Sequence, residues 1–260
     1  MACALINGLI GNGYPSTEIL VSDPSEAAKN SLSKQHQIEF MSDNKSAVRY
    51  ADIVVLAVKP QILKEVVLEL SSVIQVQTVV VSIAAGVPIS ALQKWFGKSI
   101  PIVRSMPNTP TMLMLGATGM HANRHVTIEK CSIVERIFST VGYTCWLQNE
   151  KDIDSVTAVS GSSPAYFFLI FEIMQRVAED FGLSPSVAKN LILQTAKGSV
   201  EMALNSHSEV GELRSQVTSP GGTTEQAIAT LRAGNLDLLI FKAMKAALER
   251  AQKLSEEYGQ

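Results

Sequence analysis

The run Val217-Thr218-Ser219-Pro220-Gly221-Gly222-Thr223-Thr224-Glu225-Gln226 has the residue types to hold an anion. A glycine pair flanked by hydroxyl residues leads into a helical pattern, and the first turn of a helix leaves backbone N–H groups without partners. Gly221 and Gly222 let the backbone approach a ligand closely and adopt dihedrals that a Cβ forbids. The Thr223-x-x-Gln226 spacing also matches a capping box, in which the same residues do no more than start a helix. A second run, Val159-Ser160-Gly161-Ser162-Ser163-Pro164-Ala165-Tyr166, sets hydroxyls and a glycine at an expected helix start, with Ser163 as its cap and Pro164 in its first turn. Two such starts in one small domain point to a shared anionic ligand, while ordinary capping accounts for either taken singly.

The elements that must position these runs fall into two halves. Residues 1–12 read as a helix, ended by Gly11-Asn12-Gly13. A short strand over Glu18–Ser22 follows, then a helix begun by Asp23-Pro24, an extended piece at Ile38–Met41, and a helix over Lys45–Tyr50 capped by Asp43-Asn44. Asp52–Val58 is apolar and β-branched throughout, as strands covered on both faces tend to be. Helix Gln61–Val73, strand Thr78–Ile83, helix Pro88–Phe96 and strand Ile100–Arg104 continue the alternation, and strands at Gly116–Met120 and Tyr143–Leu147 flank a helix over Ile128–Ser139. This predicts an α/β fold with a Rossmann-like, doubly wound parallel sheet over residues 1–150, whose ligand crevice lies past the carboxyl ends of the strands. Those ends carry Ser22-Asp23-Pro24, Ala57-Val58-Lys59-Pro60, Ala84-Ala85-Gly86 and Ser105-Met106-Pro107-Asn108, which suit a dinucleotide; each is also ordinary turn chemistry. From residue 151 to 260 every segment is helical in period, an all-α domain. Its helix after Pro164 is apolar over more than one stripe and is expected to be buried in a helical core or against a second chain, making a homodimer the economical assembly.

Composition narrows the classes. The chain has 260 residues, 46% hydrophobic and 18% charged, with a net charge of -2, as in an ordinary globular protein. Lysine and arginine are scattered among acids, so no phosphate-backbone footprint points to nucleic acid. The apolar run Tyr166–Phe171 falls short of a membrane span, and no basic-then-apolar leader is visible, which predicts a cytoplasmic protein. Cys3, Cys131 and Cys145 have no Cys-x-x-Cys spacing, and His121 and His125 flank a loop-like segment, so no metal is expected.

Together, Ala57-Val58-Lys59-Pro60, Met106-Pro107-Asn108-Thr109-Pro110 and the two hydroxyl-glycine runs stand in the order and spacing of pyrroline-5-carboxylate reductases, and the chain resembles that family from Met1 to near its C-terminus. The resemblance implies reduction of the cyclic imine 1-pyrroline-5-carboxylate to L-proline by NADPH or NADH, in a homodimer, with the active site between a Rossmann domain and a helical domain and shared across the dimer. It implies that Ser22 and Asp23 lie near the adenosine ribose, and that Asn44, Ala57, Val58, Lys59, Pro60, Met106 and Asn108 line the cofactor, with Asn108 near the nicotinamide. Ser219, Gly221, Gly222 and Thr223 would hold the substrate carboxylate, the Thr224 hydroxyl would bond the ring nitrogen, and Ser163 stands where the family usually has glycine, keeping that loop's hydroxyls in place.

The family opens with a strand and a Gly-x-Gly-x-x turn ahead of the helix that begins here at Met1, so the chain as given is expected to bind cofactor weakly, and roughly ten upstream residues to restore affinity. A homologue impaired in catalysis that keeps only its helical dimer is the non-enzyme alternative. A β-hydroxyacid dehydrogenase shares the two-domain plan, but its mechanism wants a lysine early in the helix after the glycine-rich loop, and none occurs between Pro164 and Gly182.

Overall fold

Alternating apolar residues in the strands sort to the two faces of one sheet. In the computed structural model, which describes residues 1–26, 29–30, 32, 36 and 38–259, five strands pair in sequence order: β3 (Ile53–Leu56), β4 (Val79–Ser82), β5 (Ile102–Met106), β6 (Gly116–Ala122) and β7 (Gly142–Trp146). Val80 and Ile102 point to one side, into a cluster with Leu63, Val67, Leu92 and Trp95 from helices α3 (Pro60–Leu70) and α4 (Ile89–Phe96). Val79, Val81 and Val103 point to the other, against Leu5 of α1 (Ala2–Gly11) and Val134 and Phe138 of α5 (Ile128–Ser139). A period of two feeding two apolar layers is what a sheet covered on both faces requires.

The sheet is parallel except between β5 and β6, where Val103 faces Ala122 and Met106 faces Gly119 in antiparallel register. Chain length explains the reversal: only a short 3₁₀ segment, Thr109–Leu113, joins these strands, whereas a parallel return needs a crossover of about a dozen residues or more. Gly142 opens β7 at φ 144°, where an added Cβ would stand 2.1 Å from the Gly116 carbonyl oxygen, so the β6–β7 pairing depends on its having no side chain. Strands β1 (Leu20–Val21) and β2 (Glu39–Phe40) form a separate two-stranded parallel pair, shorter than their apolar runs suggest. The helix α2 (Asn44–Arg49) starts where expected, and the helix expected after Asp23-Pro24 falls largely outside the described residues.

Beyond β7 the chain is helical: α6 (Asp152–Val156), a π turn (Thr157–Gly161), α7 (Ser163–Asp180), α8 (Pro185–Asn205), α9 (Val210–Gln216), α10 (Thr223–Ala233) and α11 (Leu236–Gly259). Two compact units result, one of Met1–Pro164 with Ala246–Gln260, the other of Ala165–Lys245. Within the second unit, α7, α9 and α10 have no buried residue, and α7 exposes Phe167, Phe168, Leu169 and Ile170. The all-round apolar character read from the sequence is present, but one chain does not cover it.

Candidate functional site

In the first unit the parallel strands β3, β4 and β5 end side by side, which brings their following residues to one edge. Ala57 and Lys59 are exposed there, Val58 packs against the core, and Lys59 is the N-cap of α3 with Pro60 at its first position. An exposed cation at a helix start, where the first N–H groups lack partners, is an anion-binding arrangement. Ser22 and Asp23 follow β1 beside Met41, whose N–H bonds Val21 O at 2.9 Å, so the ends of β1 and β2 also meet. Asp23 Oδ1 accepts from the Ser25 N–H at 2.7 Å. Asn44 is turned toward α3, donating to Glu69 Oε2 at 3.1 Å. Asp43 caps α2 as expected: bonds from the Ser46 N–H, the Ser46 hydroxyl and the Ser42 hydroxyl hold its carboxyl below the ordinary value of 3.8.

A helix does start at Ser163, but the residues before it, expected as a loop, form a π turn. From Asp152 the chain runs through α6, the π turn and a bend at Ser162 before α7 begins, so Ser163 is the first residue of α7 rather than its cap, and Pro164 lies in the first turn as expected. The hydroxyls of this stretch turn back along the chain: Thr157 Oγ1 bonds Ile153 O, Ser160 Oγ bonds Val156 O, and Ser163 Oγ bonds Val159 O. The wider π turn accommodates Pro164, which has no N–H to return to Ser160 O. Asn108 supplies the missing donor, its Nδ2 lying 3.1 Å from Ser160 O, while its Oδ1 accepts from Ala117 N at 2.9 Å. Met106 packs on the same turn, its Cε 2.6 Å from where a Cβ of Gly161 would be. Met106 and Asn108 are thus brought together with the Ser160-Gly161 backbone.

A buried charge network below this joint was missed at the sequence level. Arg104 on β5 is 2% exposed; its Nη2 meets Asp154 Oδ1 at 2.7 Å and Ser255 Oγ at 3.2 Å, and its Nη1 meets Glu150 Oε1 at 3.3 Å. Glu150 Oε1 also accepts from the Ile89 N–H at 2.7 Å, so one guanidinium ties β5 to α4, α6 and α11. The signal was legible as a lone cation inside an apolar strand, complementary to the acidic segment Glu150–Asp154.

The second unit holds the Ser219–Thr224 turn. Gly222 N bonds Ser219 O at 3.0 Å across Pro220 and Gly221, and Gly221 has φ 72°, the third position of a type II turn and one that favours glycine. The expected Thr223–Gln226 capping box does not form. Gly222, not Thr223, is the N-cap of α10, and the residue that reaches back is Glu225, whose Oε2 accepts from Gly221 N at 2.8 Å. The register shifts by one because the turn needs Gly222 extended, at φ -84° and ψ 169°. Thr218 is engaged with Arg214 O at 2.6 Å, whereas the hydroxyls of Ser219, Thr223 and Thr224 have no hydrogen-bond partner among the described residues. They stand beside the amides of Thr223 and Thr224, first-turn donors that the helix itself leaves unpaired.

A cleft of about 610 Å³ lined by Gln93, Lys94, Lys98, Asn123, Arg124 and His125 lies at the opposite end of β5 from Asn108. It is therefore separate from the strand ends where α/β folds place their ligands.

Comparison with known proteins gives this geometry a family. Residues 150–254 match the model described as pyrroline-5-carboxylate reductase dimerisation, and residues 1–86 that described as NADP oxidoreductase, coenzyme F420-dependent. A pyrroline-5-carboxylate reductase of Pseudomonas aeruginosa is 44% identical over 260 residues, covering 100% of this chain and 95% of that protein. That of Vibrio alginolyticus is 39% identical, covering 98% and 94%. The solved reductase of Coxiella burnetii superposes with a TM-score of 0.93 at 42% identity over 98% of this chain and 94% of that one. The Plasmodium falciparum enzyme, solved with NADP bound, gives 0.86 at 31% identity over 97% and 94%. Full-length identity at this level, over a Rossmann-like unit followed by a helical one, shows that the chain belongs to the pyrroline-5-carboxylate reductase family.

Proposed function

We infer that the chain reduces 1-pyrroline-5-carboxylate to L-proline, the last step of proline synthesis, using NADPH or NADH. The observation that carries this reading is the Ser219–Thr224 turn: three hydroxyls without a partner among the described residues, beside first-turn amides, on a helix inside the segment matched by the reductase dimerisation model. Such a start binds a carboxylate without needing a cation. In the proposal Ser219, Gly221, Gly222 and Thr223 take the substrate carboxylate, Gly221 through the backbone shape that Glu225 fixes, and Thr224 bonds the ring nitrogen. Ser163 contributes through its backbone, its hydroxyl being committed to Val159 O.

Ser22 and Asp23 would meet the adenosine ribose, with Asn44, Ala57, Val58, Lys59, Pro60 and Met106 along the remainder of the dinucleotide. The fit rests on the exposed Lys59 at the start of α3 and on the aligned strand ends. A bound NAD(P)H supplies the hydride. The imine arrives protonated at nitrogen, its C=N carbon takes the hydride, and the product is a secondary amine with no further proton required. The chain's own task is orientation and charge complementarity, which explains an active turn without histidine or lysine.

The functional division runs at residues 150 and 151, between a dinucleotide half and a dimerisation and substrate half. We place the reaction in the cytoplasm, where its dinucleotide reductant is dissolved. Two copies assemble through the helical half, which the dimerisation match covers. The test is spectrophotometric: the purified chain is mixed with the cyclic imine and either dinucleotide. Consumption of reduced nicotinamide with formation of proline supports the reading; no turnover with either dinucleotide overturns it.

A further inference from the structure

Asn108 follows β5 by two residues, and the family likeness alone would set it against the nicotinamide. Its amide is instead engaged at both ends, with Ala117 N at 2.9 Å and Ser160 O at 3.1 Å. The Ser160 carbonyl needs such a donor, because the N–H that an α-helix would return to it belongs to residue 164, a proline. Side chain and proline are complementary: one lacks the donor that the other provides from a different element. The turn so gripped is a π turn, a feature found frequently at functional sites. It is gripped twice, since Met106 packs where Gly161 has no Cβ. Arg104 holds Asp154 one and a half helical turns earlier, so the stretch from Asp154 to Gly161 is fixed to β5 at both ends. Immediately afterwards, at Pro164 and Ala165, the chain passes from the first compact unit into the second.

We propose that Asn108 is a positioning residue for the reduction: its amide replaces the N–H that Pro164 lacks, holds the helix in its π-bulged register, and thereby fixes the backbone leading into the substrate-binding unit. It acts through Ser160 O and Ala117 N rather than by touching substrate or cofactor. The proposal rests on the reductase reading given above.

The decisive comparison pairs Asn108→Ala with Asn108→Ala/Pro164→Ala, using Pro164→Ala alone as reference. Loss of Asn108 should lower kcat by about tenfold or more, since small misplacements of a reacting group are costly, and leave KM for NAD(P)H within about twofold. Alanine at 164 supplies an N–H able to donate to Ser160 O, so the double variant should recover much of the lost kcat. If Asn108 contacts the nicotinamide itself, KM for NAD(P)H rises and alanine at 164 recovers nothing; that result overturns the proposal. A second readout is independent of turnover. Hydrogen exchange at the Ala117 amide should accelerate in Asn108→Ala, and unchanged protection there also overturns the proposal. If Asn108→Ala does not fold, Asn108→Ser with and without Pro164→Ala gives the same contrast. A wild-type chain without imine reductase activity would sink the functional reading, whereas the exchange experiment would still decide whether Asn108 clamps the turn.

Discussion

The role proposed for Thr224 asks little chemistry of a side chain. The turn provides neutral hydroxyls and amides, and in the proposed reduction the Thr224 hydroxyl need only orient an iminium that already carries its proton. Removing it by Thr224→Ala should cost about 1.5–3 kcal/mol of transition-state stabilisation, the range for a hydrogen bond to a charged group, or roughly 10- to 150-fold in kcat/KM. Thr224→Ser keeps the hydroxyl and should retain most activity in the same steady-state assay. Equal losses for both variants would move the role from the hydroxyl to the methyl group. At this scale the sequence carried the residue types but not their engagement. Thr218 and Thr224 belong to one hydroxyl run, yet Thr218 bonds back to the end of α9 and Thr224 has no protein partner among the described residues. Which hydroxyl remains available depends on the turn's register, set by Gly221 and Glu225.

Among elements, the contacts that matter join segments far apart in the chain. Arg104 and Asp154 are separated by 50 residues and have side chains 3% and 7% exposed. Removing one member of a buried pair strands the other, so Asp154→Ala should destabilise the first unit by about 3–5 kcal/mol, measured by denaturant unfolding. A loss below about 1 kcal/mol would mean that Glu150 and Ser255 compensate. The α2 cap offers a pH signature. Because the Asp43 carboxyl titrates below 3.8 when folded, its stabilisation is complete above that value and fades as pH falls through the lower folded-state pKa. Melting curves of wild type and Asp43→Ala should therefore differ most near neutral pH and converge in acid. Strand and helix existence was readable because apolar period is a local property. The antiparallel β6 and the π turn were not, since one follows from connection length and the other from a bond made by Asn108, on a different element.

For the whole molecule, the helical half raises the question of what covers it. The helix Asp152–Asp180 is long and apolar enough, by length and composition, to cross a membrane, and only 6% of its most apolar window is buried within the chain. That differs from the short span read from Tyr166–Phe171, because the small and hydroxyl residues from Ser155 to Ala165 extend the uncharged stretch. The dimerisation match covers this helix, and a second copy is the cover it requires. Sedimentation should accordingly show a homodimer, and Phe168→Asp, at a position 66% exposed in the single chain, should shift it toward monomer and lower its melting temperature. A dimer of unchanged affinity would place Phe168 outside the interface.

Period, propensity and turn chemistry act over a few residues, which is why the alternation of strands and helices, the change to an all-helical second half and the glycine-hydroxyl turn were legible in the chain. The π turn ahead of Ser163, the Asn108 amide on a carbonyl left open by a proline, and Arg104 as the hub of a buried network emerge only on folding. These depend on donors and acceptors brought together from distant segments, where the demand to pair every buried polar group overrides local preference.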